Sequence, residues 1–115
     1  MGTMQISAEG TVVEELVRAA AESTSGRAGR TVHGGSGRIL GQTLVALNRG
    51  AVLDDNPNPA ETTFLVIRGR VRLSAGDEVQ EGAPFEVLPV PDVTDYDLEA
   101  LEDSVVLLTV ARLSD

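Results

Sequence analysis

The first part of the chain carries its apolar residues with the period of an α-helix. One face of that helix collects the residues Val12, Val13, Leu16, Val17 and Ala20. Thr11 and Glu14 fit a capping box, in which each side chain bonds the free N–H of the other residue. The turn-like residues 23–29 predict that the helix ends near Glu22. Because the apolar stripe is narrow, we expect the helix to pack on the outside of a larger unit.

After residue 29 the pattern changes to short apolar or alternating segments separated by glycine, proline, asparagine and aspartate. It predicts β-strands at 30–33, 43–48, 51–53, 64–67, 70–73, 78–80, 85–90, 95–99 and 104–111. Short strands at this spacing are typical of a sandwich, a jelly roll or a barrel. The last of them is apolar on both faces, which predicts a strand that is covered on both sides.

The clearest pair of segments, 64–67 and 70–73, flanks Gly69. We expect a β-hairpin with a two-residue turn, because glycine readily adopts the positive φ that such a turn needs. This pairing would set Val66 opposite Val71 and give the hairpin one apolar face.

The chain is acidic, with 18 Asp and Glu residues against 9 Lys and Arg and a formal net charge of −9. A chain of this charge repels a polyanion at long range, which argues against nucleic-acid binding. Without cysteine, neither a disulfide nor a thiolate zinc site forms. No apolar run approaches the ~20 residues that span a bilayer, and residues 1–10 lack the pattern of a secretory signal. We therefore expect a cytoplasmic protein that binds neither nucleic acid nor membrane.

Three arginines, Arg68, Arg70 and Arg72, lie along the predicted hairpin. Guanidinium groups bind carboxylates and phosphates, so these residues could contact an anionic ligand. In so acidic a chain we favour ion pairs with a partner subunit or with the carboxylates of Glu78, Glu81 and Glu86.

Glycines, prolines and polar residues recur at particular spacings in the last two-thirds of the chain. Gly50 is followed after five residues by an Asn-Pro-Asn stretch at 56–58, after three more by Thr62, and after six more by Gly69. A second group follows at Gly82, Pro89, Pro91 and Tyr96. This order resembles the two sequence motifs of the cupin superfamily, the first of which is glycine, five residues, His-x-His, three or four residues, glutamate, six residues and glycine.

The resemblance implies an all-β protein with a cupin, RmlC-like jelly-roll β-barrel and one N-terminal α-helix. In that arrangement residues 1–28 form the helix and a linker that pack on the barrel, and residues 29–115 form the barrel. It also implies a homodimer, because cupins commonly pair through a sheet face. Residues 104–111, with Leu65 and Ile67, offer more apolar surface than one small barrel needs, which favours the same expectation.

Cupins that perform metal chemistry hold a divalent ion with imidazoles and a carboxylate. At the positions of the first motif this chain has Asn56, Asn58 and Thr62, and at the histidine of the second motif it has Tyr96. A glutamate, Glu61, occurs one position early. Amide and hydroxyl oxygens are weak ligands for Fe, Mn, Ni and Zn. We therefore expect neither a metal ion nor another cofactor.

The candidate pocket combines those positions with their neighbours and with the one histidine of the chain. Its residues are His33, Asn56, Asn58, Glu61, Thr62, Phe64 and Tyr96. The favoured hypothesis is a non-enzymatic cupin that binds a small molecule without metal or serves as a dimeric module, and no residue is assigned a catalytic role.

Two alternatives stay open. One is a divergent enzyme, either a metal-dependent oxygenase or isomerase with ligands Glu61, His33 and Tyr96, or a metal-free isomerase of the sugar-epimerase kind with His33 and Tyr96 as acid and base. A convergent pocket containing these side chains would favour it. The other is a purely structural or regulatory domain, which a barrel filled with side chains would favour.

Overall fold

The computed structural model of the chain describes residues 6–57, 61–91 and 95–111, with side chains described for 12–54, 61–91 and 95–111. Within these ranges there are one helix and nine strands, in the order α1 (Ile6–Glu22), β1 (Arg27–His33), β2 (Leu40–Leu47), β3 (Val52–Pro57), β4 (Glu61–Arg68), β5 (Val71–Ala75), β6 (Glu78–Gly82), β7 (Val87–Pro89), β8 (Asp95–Ala100) and β9 (Ser104–Ala111). Among the described residues no helix has both the length and the apolar character needed to cross a bilayer.

The strands form two sheets with antiparallel pairing throughout. A five-stranded sheet has the order β1-β2-β9-β4-β7, and a four-stranded sheet has the order β3-β8-β5-β6. Side chains join the sheets along both seams. The Arg27 guanidinium donates to the Val52 carbonyl at 2.7 Å, and the Gln80 amide donates to the Pro89 carbonyl at 2.9 Å. The expected all-β jelly roll with an N-terminal helix is confirmed.

The core lies between the two sheets and is built from alternate residues of each strand, as a two-residue side-chain period requires. Its buried members are Val45, Leu47, Phe64, Val66, Val71, Leu73, Ala75, Leu88, Tyr96, Leu98, Ala100 and Val106. Burial of these apolar side chains is the dominant favourable contribution to folding.

Helix α1 packs on the outer face of the five-stranded sheet. Its residues Val13, Leu16 and Ala20 form a second buried cluster with side chains of β2 and β9. The helix ends at Glu22 as expected, and the Asn48 side-chain amide donates to the Ala20 carbonyl at 3.0 Å. The capping box at Thr11 is wrong, because the helix begins at Ile6 and Thr11 lies inside it.

Strand β9 is covered on both sides, which confirms the expectation from its apolar sequence. Val106 faces the core between the sheets, whereas Val105 lies under α1 with the partly buried Ile67 and Leu107. The helix therefore covers part of the apolar surface that the sequence offered to a dimer, and Leu65 lies outside the helix cluster.

The predicted hairpin around Gly69 is wrong. Strand β4 pairs with β7 and β9, whereas β5 pairs with β6 and β8 in the facing sheet. Gly69, at φ 83°, carries the chain from one sheet to the other. Val66 and Val71 are both fully buried, but they enter the core from opposite sheets instead of standing side by side.

Several strand boundaries also differ from the sequence prediction, among them the starts of β2 and β4 and the end of β3. Strand β1 begins at Arg27, inside the segment expected to be a linker, and the strand expected at 85–90 is only the three-residue β7. A short edge strand that ends in proline is disfavoured for further pairing, because proline lacks the N–H donor.

The arginines near Gly69 form ion pairs on the surface. Arg70 and Arg72 both contact Glu81, at 2.8 and 3.0 Å, which confirms the expected partner. Arg68 instead contacts Glu14 of the helix at 2.7 Å. The arginine side-chain hydrogen bonds lower the pKa of both glutamates below their ordinary value of 4.5.

Candidate ligand-binding site

One end of the barrel is closed by turns that bond to one another. The Gly50 N–H donates to the Ala100 carbonyl, and the Leu101 N–H donates to the Arg70 carbonyl, both at 2.8 Å. Side chains facing the core at this end, such as Leu47 and Val106, are at most 1% exposed. These described side chains therefore pack closely between the sheets at this end.

The other end, which we call the open end, lies where β4 and β8 begin and β9 finishes. Along β9 the inward-facing residues pass from Val106, which is buried, to Leu108 and Val110, which are half-buried. Along β2 the inward-facing Thr43 is half-buried and stands directly opposite Leu108. Solvent therefore reaches part of the inner face of the five-stranded sheet at the open end.

The floor of the open end is formed by Thr62, Phe64 and Tyr96. Thr62 and Phe64 lie two residues apart on the inner face of β4 and are 3% and 0% exposed. Tyr96 enters from β8 in the facing sheet and is 4% exposed. The two rings meet edge to face, with centroids 5.7 Å apart and planes at 73°. Such a contact fixes both rings more firmly than apolar burial alone.

Burial raises the pKa of the Tyr96 phenol above its ordinary value of 10.0. The group therefore keeps its proton at neutral and moderately alkaline pH. It presents an O–H that donates a hydrogen bond, and it is not a general base in that pH range.

Titration of the Tyr96 phenol is expected to give a pKa above 10.0 in the folded protein. Since the unfolded phenol loses its proton near pH 10, the stability linked to burying the neutral form is complete below that pH. It is then lost as pH rises through the folded pKa. Phenolate absorbance measures this directly, because the chain has one tyrosine and no tryptophan.

Tyr96→Phe is the control for this titration. It removes the absorbance change and flattens the pH dependence of unfolding above pH about 10. A wild-type pKa at or below 10.0 would contradict the burial of Tyr96.

The remaining candidate residues are distributed differently. The backbone of Asn56 lies directly opposite Tyr96 in the pairing of β3 with β8, so the first-motif strand and the tyrosine strand are neighbours. The Asn56 side chain and the whole of Asn58 lie outside the described parts of the structure. Glu61 is exposed and alternates with Thr62 on β4, which places it on the outer face.

His33 is not part of this group. It is exposed at the end of the edge strand β1 and stands opposite Gln42 after an irregularity in the ladder between Thr31 and His33. Residues opposite one another share a sheet face. The Gln42 amide donates to Thr109 at 3.2 Å on the outer face. The structure therefore separates His33 from Tyr96 and gives no support to an acid–base pair made of these two.

Among the described side chains on the inner faces at the open end there is no imidazole and no carboxylate, the groups with which metal-binding cupins hold a divalent ion. A threonine hydroxyl and a protonated phenol are poor ligands for Fe, Mn, Ni or Zn. Across the parts of the chain with described side chains, no three His, Asp or Glu residues come together. Glu61 and His33, the two conventional ligands proposed from the sequence, both lie on outer faces.

Sequence reasoning missed three residues of the open end: Thr43, Leu108 and Val110. The alternation of residues along β2 and β9 places these three on one face of their strands. Without the register between strands, however, the sequence could not show that this face lies at the open end. In the structure Leu108 stands between Thr43 and Phe64, and Val110 stands between Gly41 and Thr62.

No protein-family model and no curated protein sequence matches the chain. Solved structures do match. A conserved protein of unknown function from Streptococcus pyogenes is similar with a TM-score of 0.70 and 19% identity, over 81% of this chain and 80% of that one. A cupin superfamily protein from Desulfitobacterium hafniense is similar with a TM-score of 0.68 and 16% identity, over 76% and 78%.

The chain has the cupin fold. A further similar structure is the Cupin_2 domain of an XRE family transcriptional regulator from Enterobacter cloacae, with a TM-score of 0.65 and 12% identity, over 77% of this chain and 98% of that domain. At these sequence identities the structural similarity establishes the cupin fold. It does not indicate an activity, which has to be argued from the residues of this chain.

Proposed function

We propose that this cupin-fold protein is a non-enzymatic module that binds a neutral small molecule, without a metal ion, at the open end of its barrel. The observation that carries the proposal is the uncharged character of the described residues that face that space. They are the hydroxyl and phenol groups of Thr43, Thr62 and Tyr96 and the aliphatic side chains of Leu108 and Val110.

The chemistry of these groups selects for a neutral ligand. An ion that entered this space would lose its hydration without meeting an opposite charge, which is costly. A molecule with an apolar body and one or two polar groups would instead bury that body against Leu108 and Phe64. It would exchange hydrogen bonds with the hydroxyls, which is the usual composition of a small-molecule site.

The same residues favour binding over catalysis. General acid–base chemistry needs a group that can accept a proton near neutral pH. Tyr96 holds its proton there, and Glu61 and His33 lie on outer faces. The similar domain of a transcriptional regulator supports the idea that a cupin barrel can serve as one module of a protein. The homodimer stays a prediction.

Two pairs of probes test the proposal: benzamide with benzoate, and glucose with glucuronate. The two members of each pair are nearly equal in size, but one is neutral and the other is negatively charged. Amide NMR shifts and the emission of the single tyrosine serve as readouts. We expect a neutral probe to bind at least about tenfold more tightly than its charged counterpart, a difference of about 1.4 kcal/mol. The shifts should map to β4, β8 and β9, and EDTA should leave them unchanged.

Thr62→Val and Glu61→Gln form the matched variants for this test. Thr62→Val removes a hydroxyl from the inner face and should weaken binding of the neutral probe. Glu61→Gln changes the neighbouring residue on the outer face and should leave that binding unchanged. Stoichiometric Fe, Mn, Ni or Zn in protein purified without chelator would contradict the proposal. So would tighter binding of the charged probes.

A further inference from the structure

The charge of the chain is unevenly distributed along β1 and the loop that follows it. Residues 27–38, which we call the β1 segment, contain three of the nine basic residues and the only histidine, and none of the eighteen acidic residues. Its charged members are Arg27, Arg30 and Arg38. In a protein of net charge −9, this segment is locally basic, and of its arginines Arg27 lies 3.9 Å from the Asp54 carboxylate.

The β1 segment also belongs to the longest run of exposed residues in the described parts of the chain. Residues 29–33 of β1 are all exposed, as is the loop from 34 to 39. Arg30 makes one half-exposed ion pair with Glu15 at 3.2 Å, a kind of contact that contributes little and exchanges readily. Arg38 is exposed and forms no ion pair with another described residue.

The backbone of β1 has one bonded and one unbonded edge. In the described structure β1 pairs only with β2. The Asn48 N–H donates to the Gly26 carbonyl at 2.8 Å, and bonded pairs alternate along an antiparallel ladder. Residues 28 and 30 therefore bond to β2, whereas Gly29 and Thr31 direct their N–H and C=O groups away from it. Such an edge is a template for another strand.

Charge decides which strand this edge would accept. A second copy added antiparallel through β1 would place arginines of one chain near those of the other, and like charges opposite one another destabilise a ladder. A nucleic acid would meet, in the β1 segment, no aromatic side chain on which a base could stack, and its backbone has no amide groups that could continue the sheet.

We propose that the free edge of β1 binds an extended acidic peptide of a partner protein by β-strand addition. The main-chain groups of Gly29 and Thr31 would continue the five-stranded sheet, which gives such complexes their affinity. Arg30 and Arg38 would pair with carboxylates of the added strand. This site lies on the outside of the barrel, and the proposal goes beyond the small-molecule site and does not depend on it.

Fluorescence anisotropy with a labelled eight-residue peptide of alternating glutamate and valine tests the proposal. The control peptide has glutamine in place of glutamate. We expect the acidic peptide to bind at least about tenfold more tightly than the control, and its affinity to fall when ionic strength rises from about 0.05 M to about 0.3 M. Equal binding of the two peptides would overturn the proposal.

Thr31→Pro and Thr31→Val separate the backbone contribution from the side chain. Proline removes an N–H that points away from β2, so it blocks the edge without breaking a bond of the existing ladder. We expect Thr31→Pro to abolish peptide binding and Thr31→Val to retain it. Circular dichroism checks that both variants fold. Arg38→Glu changes a residue of the loop and leaves the strand unaltered. It should lower the affinity for the acidic peptide at least about fivefold.

Three further results would overturn the proposal: peptide binding that survives Thr31→Pro, tighter binding of a labelled oligonucleotide than of the acidic peptide, and self-association in light scattering that Thr31→Pro removes. The last would show that the edge accepts a second copy of the chain.

Discussion

Gly69→Ala is expected to lower the free energy of unfolding by about 3–5 kcal/mol, which is a large part of the stability of a domain of this size. Two costs combine. The residue has φ 83°, which a side chain disfavours, and an added Cβ would collide with the backbone carbonyl of Asp103 and with Ser104. Because the Asp103 carbonyl belongs to the backbone, rotation of a side chain cannot relieve the contact. Urea unfolding followed by circular dichroism measures the loss.

Gly50→Ala is the matched control. Gly50 has a similar φ of 87°, but an added Cβ would meet nothing within 4 Å. Its expected cost is therefore only the conformational one, about 1–2 kcal/mol. If both variants lost the same stability, the close approach of Gly69 to the turn before β9 would not be what makes glycine necessary there.

Gly69 also shows where sequence reasoning about the fold stopped. Its positive φ was foreseen, but the same turn signal serves a hairpin and a crossing between sheets. The alternation around it could not decide either, because Val66 and Val71 are buried in both arrangements. The choice depends on the strands that arrive later, β8 and β9, which pair with β5 and β4. Pairing between strands that are far apart in the sequence cannot be predicted from a short segment of it.

The candidate site was predictable where the two-residue period was unbroken. Thr62 and Phe64 lie on one face of β4, and the spacing that resembles the cupin motifs led to Tyr96 on the facing sheet. His33 was misplaced for an identifiable reason. The ladder of β1 shifts between Thr31 and His33, and a one-residue shift moves a side chain to the other face of the sheet.

Phe85 illustrates the opposite difficulty, a large apolar residue that the fold leaves outside. Its hydrophobicity predicted a place in a strand, yet it is 81% exposed with φ 71°. Backbone bonds hold it there. The Phe85 N–H donates to the Val66 carbonyl at 2.7 Å, and the Ala83 N–H donates to the Glu86 carboxylate at 2.9 Å. The hydrogen bonds of a short turn, which the composition does not reveal, therefore keep Phe85 exposed despite its apolar side chain.

Phe64→Ala is expected to destabilise the protein by about 3–5 kcal/mol and, in the molecules that remain folded, to bring the pKa of Tyr96 closer to 10.0. Phe64 is fully buried at the floor of the open end and touches the tyrosine ring edge to face. Its removal leaves a cavity beside the phenol. Because burial alone raises the pKa of this group, any solvent that reaches it through the cavity lowers the pKa.

Phe64→Leu separates loss of volume from loss of apolar character. Leucine fills most of the space, so we expect a smaller loss of stability, about 1–1.5 kcal/mol, and a Tyr96 pKa close to that of the wild type. Urea unfolding gives the stability of each variant and phenolate absorbance gives the pKa. A Phe64→Ala variant that left both quantities unchanged would show that Phe64 does not shield Tyr96, and the proposed floor of the binding site would have to be abandoned.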